Sequence, residues 1–352
     1  MRILVAMSGG VDSSVAAKLL SDTGNECIGC TMKLYTNEDA GISRAHSCCS
    51  LDDVEDARSV AHRLHMPYYV FNFSDDFREK VIGKFIRCYQ QGLTPNPCID
   101  CNRYMKFDRL FERAKILGCD HIATGHYTRI VQENGLYILK KALDTSKDQS
   151  YVLYDMTQEQ LAHTLFPLGE LHKAQTRRIA EEAGLLNAEK PDSQDICFVP
   201  NGDYASVIEL HSGKKSEPGN FVDSAGRLLG RHEGIIRYTV GQHRGLGLSL
   251  PEKHYVCAIC PETNTVVLGS MEELCRRDVR VGTFTGFPGI LLMCAFAAAQ
   301  SCATASRSSP CWQSFSRTER CFCALMRRSA HRRRDRPQSS TWEIPFSVAA
   351  RS

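Results

Sequence analysis

ILVAMSGGVDSSVAAKLL, residues 3–20, reads as an apolar strand that turns through SGGVDSS into an amphipathic helix. Gly9 and Gly10 let the backbone turn tightly and come close to a ligand. Ser8, Ser13 and Ser14 bring hydroxyls to the place where the helix begins. A helix N-terminus offers free N–H groups and a partial positive charge, which suits a phosphate. The stretch lacks GxxxxGK followed by Ser or Thr, so it is not the Walker loop. The plainer alternative is a glycine–serine turn between a strand and a helix.

Working outward, residues 1–130 alternate strand and helix. Strands are expected near 2–7, 26–35, 67–73 and 119–124, and helices near 11–22, 51–65, 75–91 and 102–117. Repeated strand–helix units indicate an α/β fold with a parallel sheet covered on both faces. Ligands of such sheets bind beyond the carboxyl ends of the strands, where SGGVDSS falls. Residues 128–143 read as a hairpin turning at Glu133-Asn134-Gly135. Residues 157–186 read as mostly helical. From 217 to 269, Pro218-Gly219, Ala225-Gly226 and Glu262-Thr263-Asn264 separate short β-prone runs, which suggests a small barrel-type β domain. The expected division is a catalytic domain over 1–200 with a helical part at 155–200, a β domain over 201–270, and an irregular remainder over 271–352.

No apolar run reaches the roughly 18 residues of a membrane span, and the chain enters a strand at once, so neither a membrane anchor nor a signal peptide is expected. The 17 cysteines then read as free thiols of a reducing, cytoplasmic compartment. Three CxxC pairs occur: Cys27/Cys30, Cys98/Cys101 and Cys257/Cys260. The first and third lie in strand-like runs, where positions i and i+3 point to opposite faces and cannot chelate one metal. Those four are expected to be packing residues.

Residues 301–352 hold ten arginines, no lysine and three acids, a balance of +7 in a chain of net charge +3. The first 300 residues are therefore acidic, and overall charge gives no argument for nucleic-acid binding. Beyond about residue 285 no period of 2 or 3.6 survives, lysine stops at Lys253, and Arg, Ser and Cys surge. Two readings stay open: a basic tail without a fixed fold, or a stretch read in a frame other than the ancestral one.

Several further segments stand out: TMKLY (31–35), TPNPCIDCNRYMKF (94–107), ATGHYTR (123–129), KDQSYVLY (147–154) and KPDSQDICFVP (190–200). SGGVDSS resembles the pyrophosphate loop of N-type ATP pyrophosphatases. In order, these segments resemble the bacterial tRNA-specific 2-thiouridylases, the MnmA family, from residue 1 to about 275. PLGELHKAQTRRIAEEAGL, LGRHEGIIRYTVGQHRGLGL and YVCAICPETNTVVLG also look like that family. The resemblance implies an enzyme that replaces the C2 oxygen of the wobble uridine of tRNA by sulfur, after ATP has adenylated that oxygen.

By that resemblance, Ala6, Met7, Ser8, Gly9, Gly10, Val11, Asp12, Ser13 and Ser14 would bind ATP. Asp12 would help hold Mg²⁺, a hard ion that is bound by carboxylate together with phosphates. Met32 would touch the nucleoside and Gly125 would lie at its far side, although Ala6 and Met32 equally suit a strand core. Cys197 would carry a persulfide and Cys101 would resolve it by thiol–disulfide exchange. Pro95 and Pro97 are expected to keep 94–98 extended, which puts Cys101 at the start of the 102–117 helix, where the dipole lowers a thiol pKa. Lys147, Asp148, Gln149 and His126 would face the tRNA anticodon loop, with Arg237, Gln242, His243 and Arg244 as further contacts. Cys48-Cys49 fits the family pattern with no chemistry assigned. The implied partners are tRNA and a sulfur donor, a cysteine desulfurase or a sulfur-relay protein.

Some family members carry an acid where this chain has Cys98, three residues before Cys101. A thiol, with a reference pKa of ~8.5 against ~3.9 for Asp, cannot take over that carboxylate's role. Cys98, Cys101 and Cys197 together suit an iron–sulfur cluster with one open iron, so cluster and persulfide relay stand side by side. The family's terminal barrel carries an RYRQ-like strand and a GGGxI segment. Neither occurs here, so the barrel is expected to be incomplete or replaced over 285–352. Two other functions compete: a catalytically impaired ATP- and tRNA-binding protein, and a different adenylating ATP pyrophosphatase.

Overall fold

The computed structural model describes residues 1–41, 49–192, 196–199 and 202–275. Cys48 and the arginine-rich tail lie outside the described residues. Met1–Gly269 form one compact unit. Of the second unit, the described part is a short helix, Met271–Leu274, closed by a capping box between Ser270 and Glu273.

The β-branched and apolar run RILVA forms β1 (Arg2–Ala6), and VDSSVAAKLLSD follows as α1 (Val11–Asp22). Then come β2 (Glu26–Lys33), α2 (Cys49–Arg63), β3 (Tyr68–Asn72), a helix α3 over residues 74–90 and a helix α4 over 97–116. β4 (His121–Ala123) leads into the hairpin β5 (Thr128–Glu133) and β6 (Leu136–Lys141). Asn134 and Gly135 turn it with φ of 52° and 77°, the two positive-φ positions that a type I′ hairpin requires. α5 (Gln158–Ala162), β7 (Thr164–Leu165) and α6 (Lys173–Glu182) complete the first domain.

The main sheet is parallel throughout, in the order β3-β2-β1-β4-β7. β7 corrects the expectation of a mostly helical 157–186. Two residues are too few to show a period, and the strand exists because its backbone pairs with β4, Ile122↔Thr164 and Ala123↔Leu165. Alternate side chains of β1 enter two cores. Ile3 and Val5 pack on one face with Val15, Ala57 and Leu168, and Leu4 and Ala6 pack on the other with Phe77, Met105 and Leu110. Cys27 belongs to the first core and Cys30 to the second, as strand alternation requires. The sequence of connections turns back between β1 and β4, so the loops after these two strands, 7–10 and 124–127, open at one crevice.

After α7 (Tyr204–Ser212), strands β8 (Gly219–Val222), β9 (Leu228–His232), β10 (Tyr255–Cys260) and β11 (Thr265–Gly269) form a second sheet in the order β10-β11-β8-β9. Phe221, Tyr238, Val256, Val266 and Leu268 are its core.

Candidate active site: an anion loop and a thiol cluster

Gly9 and Gly10 do different work. Gly9 has φ +75° and faces α2, where a Cβ would come within 2.4 Å of the Asp53 carbonyl oxygen. Gly10 caps α1 with φ −88°, and a Cβ there would meet only Ser8 Oγ, at 3.5 Å. Only Gly9 is therefore demanded by the fold. The serine hydroxyls are engaged inside the loop. Ser13 Oγ donates to the Gly10 carbonyl at 3.0 Å and accepts from the Ser8 N–H at 3.1 Å. Ser14 Oγ donates to the same carbonyl at 3.1 Å and accepts from Asn187 Nδ2 at 2.8 Å. Met7 and Val11 turn their side chains into the core. What the loop offers an anion is the first-turn N–H groups of α1.

Gly125, at the end of β4, packs on that first turn: a Cβ would lie 2.7 Å from the Ser13 nitrogen and 2.8 Å from the Asp12 carbonyl carbon. Ala6 and Met32 share one sheet face at the crevice, joined through the β1–β2 register Ala6↔Cys30. Thr31 Oγ1 donates to the Met7 carbonyl at 2.6 Å and holds the loop's start to β2.

Asp12 is bound more tightly than the sequence suggests. Lys173 Nζ stands 2.7 and 2.8 Å from its two oxygens, and Tyr127 OH donates to Oδ1 at 2.9 Å. The same ammonium is 2.8 Å from Asp192, which also binds Lys147 at 2.8 Å and Arg177 at 2.9 Å. Burial alone would raise the Asp192 carboxyl, but Lys147 and Lys173 hold it down at about 2. The sequence alone assigns no role to Lys173, Tyr127, Asn187 or Asp192. Lys173 opens α6 within ELHKAQTRR, and a lysine at a helix start, where cations are disfavoured, was the readable signal. The donor set suits a hard cation, because two carboxylates flank one position that an ammonium fills here.

The thiols lie along α4. This helix begins at Pro97, five residues earlier than expected, with Asn96 Oδ1 accepting the Cys98 N–H at 3.1 Å. Proline is well tolerated at the first helical position, so Pro97 starts the helix and does not hold 94–98 extended. Cys98 thus lies in the first turn and Cys101 one turn inside, on the same face. The expected lowering of the Cys101 pKa by the dipole is overturned. Burial pushes its thiol up to about 11, the field of Lys106 only partly opposing. Cys197 lies at the surface, but crowding by its neighbours pushes its thiol up to about 12, with Cys101 and Cys98 adding to the rise and Lys106 opposing it. Cys101 and the residues on either side of Cys197, Ile196 and Phe198, pack in one core, which brings these thiols into one neighbourhood.

Phe198 anchors Cys197. It is buried edge-on against Phe77 and Phe85, with centroids at 5.6 and 5.3 Å, a burial of about 1.5–3 kcal/mol. Tyr35 OH donates to the Cys197 carbonyl at 2.5 Å. Cys98, Cys101 and Cys197 are all free thiols. Among the described residues no three His, Cys, Asp or Glu side chains stand together as a metal site. The thiols as arranged do not fit a three-cysteine cluster.

The residues expected to face RNA are mostly occupied. Asp148 Oδ1 accepts the Ala142 N–H at 2.9 Å, and Gln149 Oε1 accepts the Tyr127 N–H at 3.0 Å. His126 is buried beside Phe107 and Phe166, with Nδ1 2.6 Å from Thr124 Oγ1. Burial, then the charge of Lys106, holds its pKa well below 6.5. Arg237 lies 3.8 Å from Glu209 and 3.7 Å from Glu233, Gln242 binds the Arg244 carbonyl, and His243 packs beside Tyr255.

Known proteins of similar sequence place the chain in a family. A family model described as "tRNA methyl transferase HUP domain" matches residues 1–201, and one described as "tRNA methyl transferase PRC-barrel domain" matches 206–270. A tRNA-specific 2-thiouridylase MnmA of Lachnoclostridium phytofermentans is 52% identical over 275 residues, 78% of this chain and 77% of the relative. One of Clostridioides difficile is 49% identical over 280 residues, 79% of this chain and 77% of the relative. Among solved structures, NMN synthetase of Francisella tularensis aligns with a TM-score of 0.35 and 15% identity over 61% of this chain and 78% of that one. The two matched domains in order, and relatives half identical over most of their length, give the family: the chain belongs to the tRNA-specific 2-thiouridylases.

Proposed function

We propose that this chain catalyses the ATP-dependent 2-thiolation of the wobble uridine of tRNA. The observation that carries the reading is that Cys101 and the residues flanking Cys197, 96 positions apart, pack in one core of the domain that bears the anion-suited loop. The names of its relatives support the same reading. The family models' descriptions speak of methyl transfer, but a thiol pair with a phosphate-suited loop is the equipment of sulfur transfer. We take residues 1–200 as the catalytic domain and the cytoplasm as its place of work. Among the described residues no helix is long and apolar enough to cross a membrane.

The first-turn amides of α1, from Gly10 to Ser13, bind the phosphates of ATP, with Ala6, Met32 and Gly125 bordering the nucleoside. Asp12, once freed from Lys173, would hold the Mg²⁺ that accompanies ATP. Bound there, the ion would neutralise phosphate charge. The uridine C2 oxygen attacks the α-phosphorus and pyrophosphate leaves. A donor protein, a cysteine desulfurase or a sulfur-relay protein, loads Cys197 as a persulfide. The terminal sulfur attacks C2 and forms the C–S bond. The C2–O bond breaks and AMP departs with its electron pair. The Cys101 thiolate then attacks Cys197 Sγ, the S–S bond passes its electrons to the transferred sulfur, and 2-thiouridine is released. A disulfide between Cys101 and Cys197 remains, and an external thiol reduces it. Lys147, Asp148 and Gln149 shape the loop that meets the anticodon, and no step runs through a cluster.

The test incubates unmodified tRNA bearing a wobble uridine with ATP, Mg²⁺ and a sulfur source, and reads 2-thiouridine by mass spectrometry. Product from the wild type that is lost in both Cys101→Ser and Cys197→Ser, with ATP binding retained, is expected. ATP and tRNA binding without product would favour an impaired binding protein. Adenylation of a small acid without tRNA would favour another ATP pyrophosphatase.

A further inference from the structure

Lys106 stands apart from the other lysines around the crevice. Lys84 pairs with Asp100, Lys147 with Asp192, Lys173 with Asp12, and Lys190 with Asp53 and Asp56. Among the described residues no carboxylate lies within ion-pair distance of Lys106. Its polar partner is His126, with Nζ 3.4 Å from Nε2. That imidazole is buried, and its Nδ1 is tied to Thr124 Oγ1 at 2.6 Å. A neutral imidazole orients an ammonium without cancelling its charge, whereas a carboxylate in the same place would cancel it.

The helix aims this charge. Cys101–Arg109 is π-helical, and its i→i+5 bonding brings a residue five positions on close to a full turn. Lys106 is five positions beyond Cys101, so the wider turn carries it toward the thiol face. The charged and titratable groups around that face are Cys98, Asp100 with its partner Lys84, Tyr151, His126 and Cys197. Of these, Cys98 and Asp100 oppose a sulfur anion on Cys101, and Lys106 favours one on both Cys101 and Cys197.

We propose that Lys106 is the electrostatic partner of the migrating sulfur: its unneutralised ammonium, propped by His126, stabilises the persulfide anion of Cys197 and the thiolate of Cys101. The proposal rests on the roles given to those two cysteines above. It identifies the counter-charge that lessens the cost of a sulfur anion at these raised thiols.

Iodoacetamide, which is uncharged, alkylates thiolates in proportion to their population. Alkylation rates of Cys101 and Cys197, resolved by peptide mass spectrometry between pH 7 and 9 on the full chain, are compared in wild type, Lys106→Met and Lys106→Arg. Lys106→Met should slow both cysteines about tenfold, the equivalent of one pKa unit, while Cys88 keeps its rate. Lys106→Arg should restore both. Single-turnover 2-thiouridine formation should fall in parallel, with ATP binding unchanged. If Lys106→Met does not melt cooperatively, Lys106→Gln carries the same expectation. Unchanged alkylation of both cysteines in a folded, ATP-binding variant overturns the proposal. A wild type that alkylates as expected but makes no 2-thiouridine overturns instead the function on which the proposal rests.

Discussion

Gly9→Ala and Gly10→Ala should behave as opposites although the two residues are neighbours. At Gly9 the backbone lies at φ +75°, which costs an L side chain about 1–2 kcal/mol. The new Cβ would also sit 2.4 Å from the Asp53 carbonyl oxygen and 2.8 Å from its Cα. Both are backbone atoms that move only with α2, and overpacking of that kind costs about 1–3 kcal/mol. The sum, about 2–5 kcal/mol, corresponds to a melting temperature lower by about 5–15 °C for a unit of this size. At Gly10 the φ is −88° and the nearest atom is a serine hydroxyl at 3.5 Å, so Gly10→Ala should change stability by less than about 0.5 kcal/mol. Its methyl would instead stand at the mouth of the anion loop and weaken ATP binding about tenfold or more, about 1.4 kcal/mol. Thermal melts followed by circular dichroism, with calorimetric ATP titration, separate the two effects. A Gly9→Ala protein that melts with the wild type would refute the steric account. A Gly10→Ala protein that binds ATP normally would refute the close approach of the phosphates to that turn.

Asn187→Ala leaves the Gly9 carbonyl and Ser14 Oγ without their buried partner and should cost about 1–3 kcal/mol in urea unfolding. Asp192 titrates at about 2 in the fold and near 3.9 when unfolded. Its stabilisation, on the order of 2 kcal/mol, is complete above pH ~4 and lost as the pH falls toward ~2. Asp192→Asn should flatten that part of the stability–pH curve. His126 is held neutral with its pKa below 6.5, so it binds a proton more readily when unfolded. Stability should therefore decline as the pH falls below about 6.5, and a His126→Gln variant should show less of that decline in the same titration.

The parallel-sheet domain was readable because its signals are local. Apolar runs broken by glycine place the strands, and α1 falls at Val11–Asp22 as its periodicity predicts. Gly24, Gly92 and Gly118 end helices with φ between 66° and 73°, as expected of helix stops. The network at Asp12 was not readable, because Lys173 reaches it across 161 positions and Asn187 reaches Ser14 across 173. Only the β1–β4 crevice brings them together. The start of α4 was misjudged for a different reason. In sequence Pro95 and Pro97 both read as keeping the chain extended, but Asn-Pro at 96–97 is a cap followed by a first helical residue. The raised thiol pKa values were hidden because burial outweighs helix position, and burial is a property of the packed fold.

The π-helical turn at Cys101–Arg109 makes helical pitch itself a carrier of chemistry. A helix in this form holds one residue more than α-helical pitch would accommodate. Relaxing the stretch to α-helical pitch at unchanged length would turn Lys106 by about a quarter turn away from Cys101. The ammonium would then be rotated off the sulfur face while Phe107 and Leu110 strained to stay in the core. The five-position step from Cys101 to Lys106 suits the wide turn, while Asn102 and Met105 within it are fixed by the Val152 carbonyl and by the core.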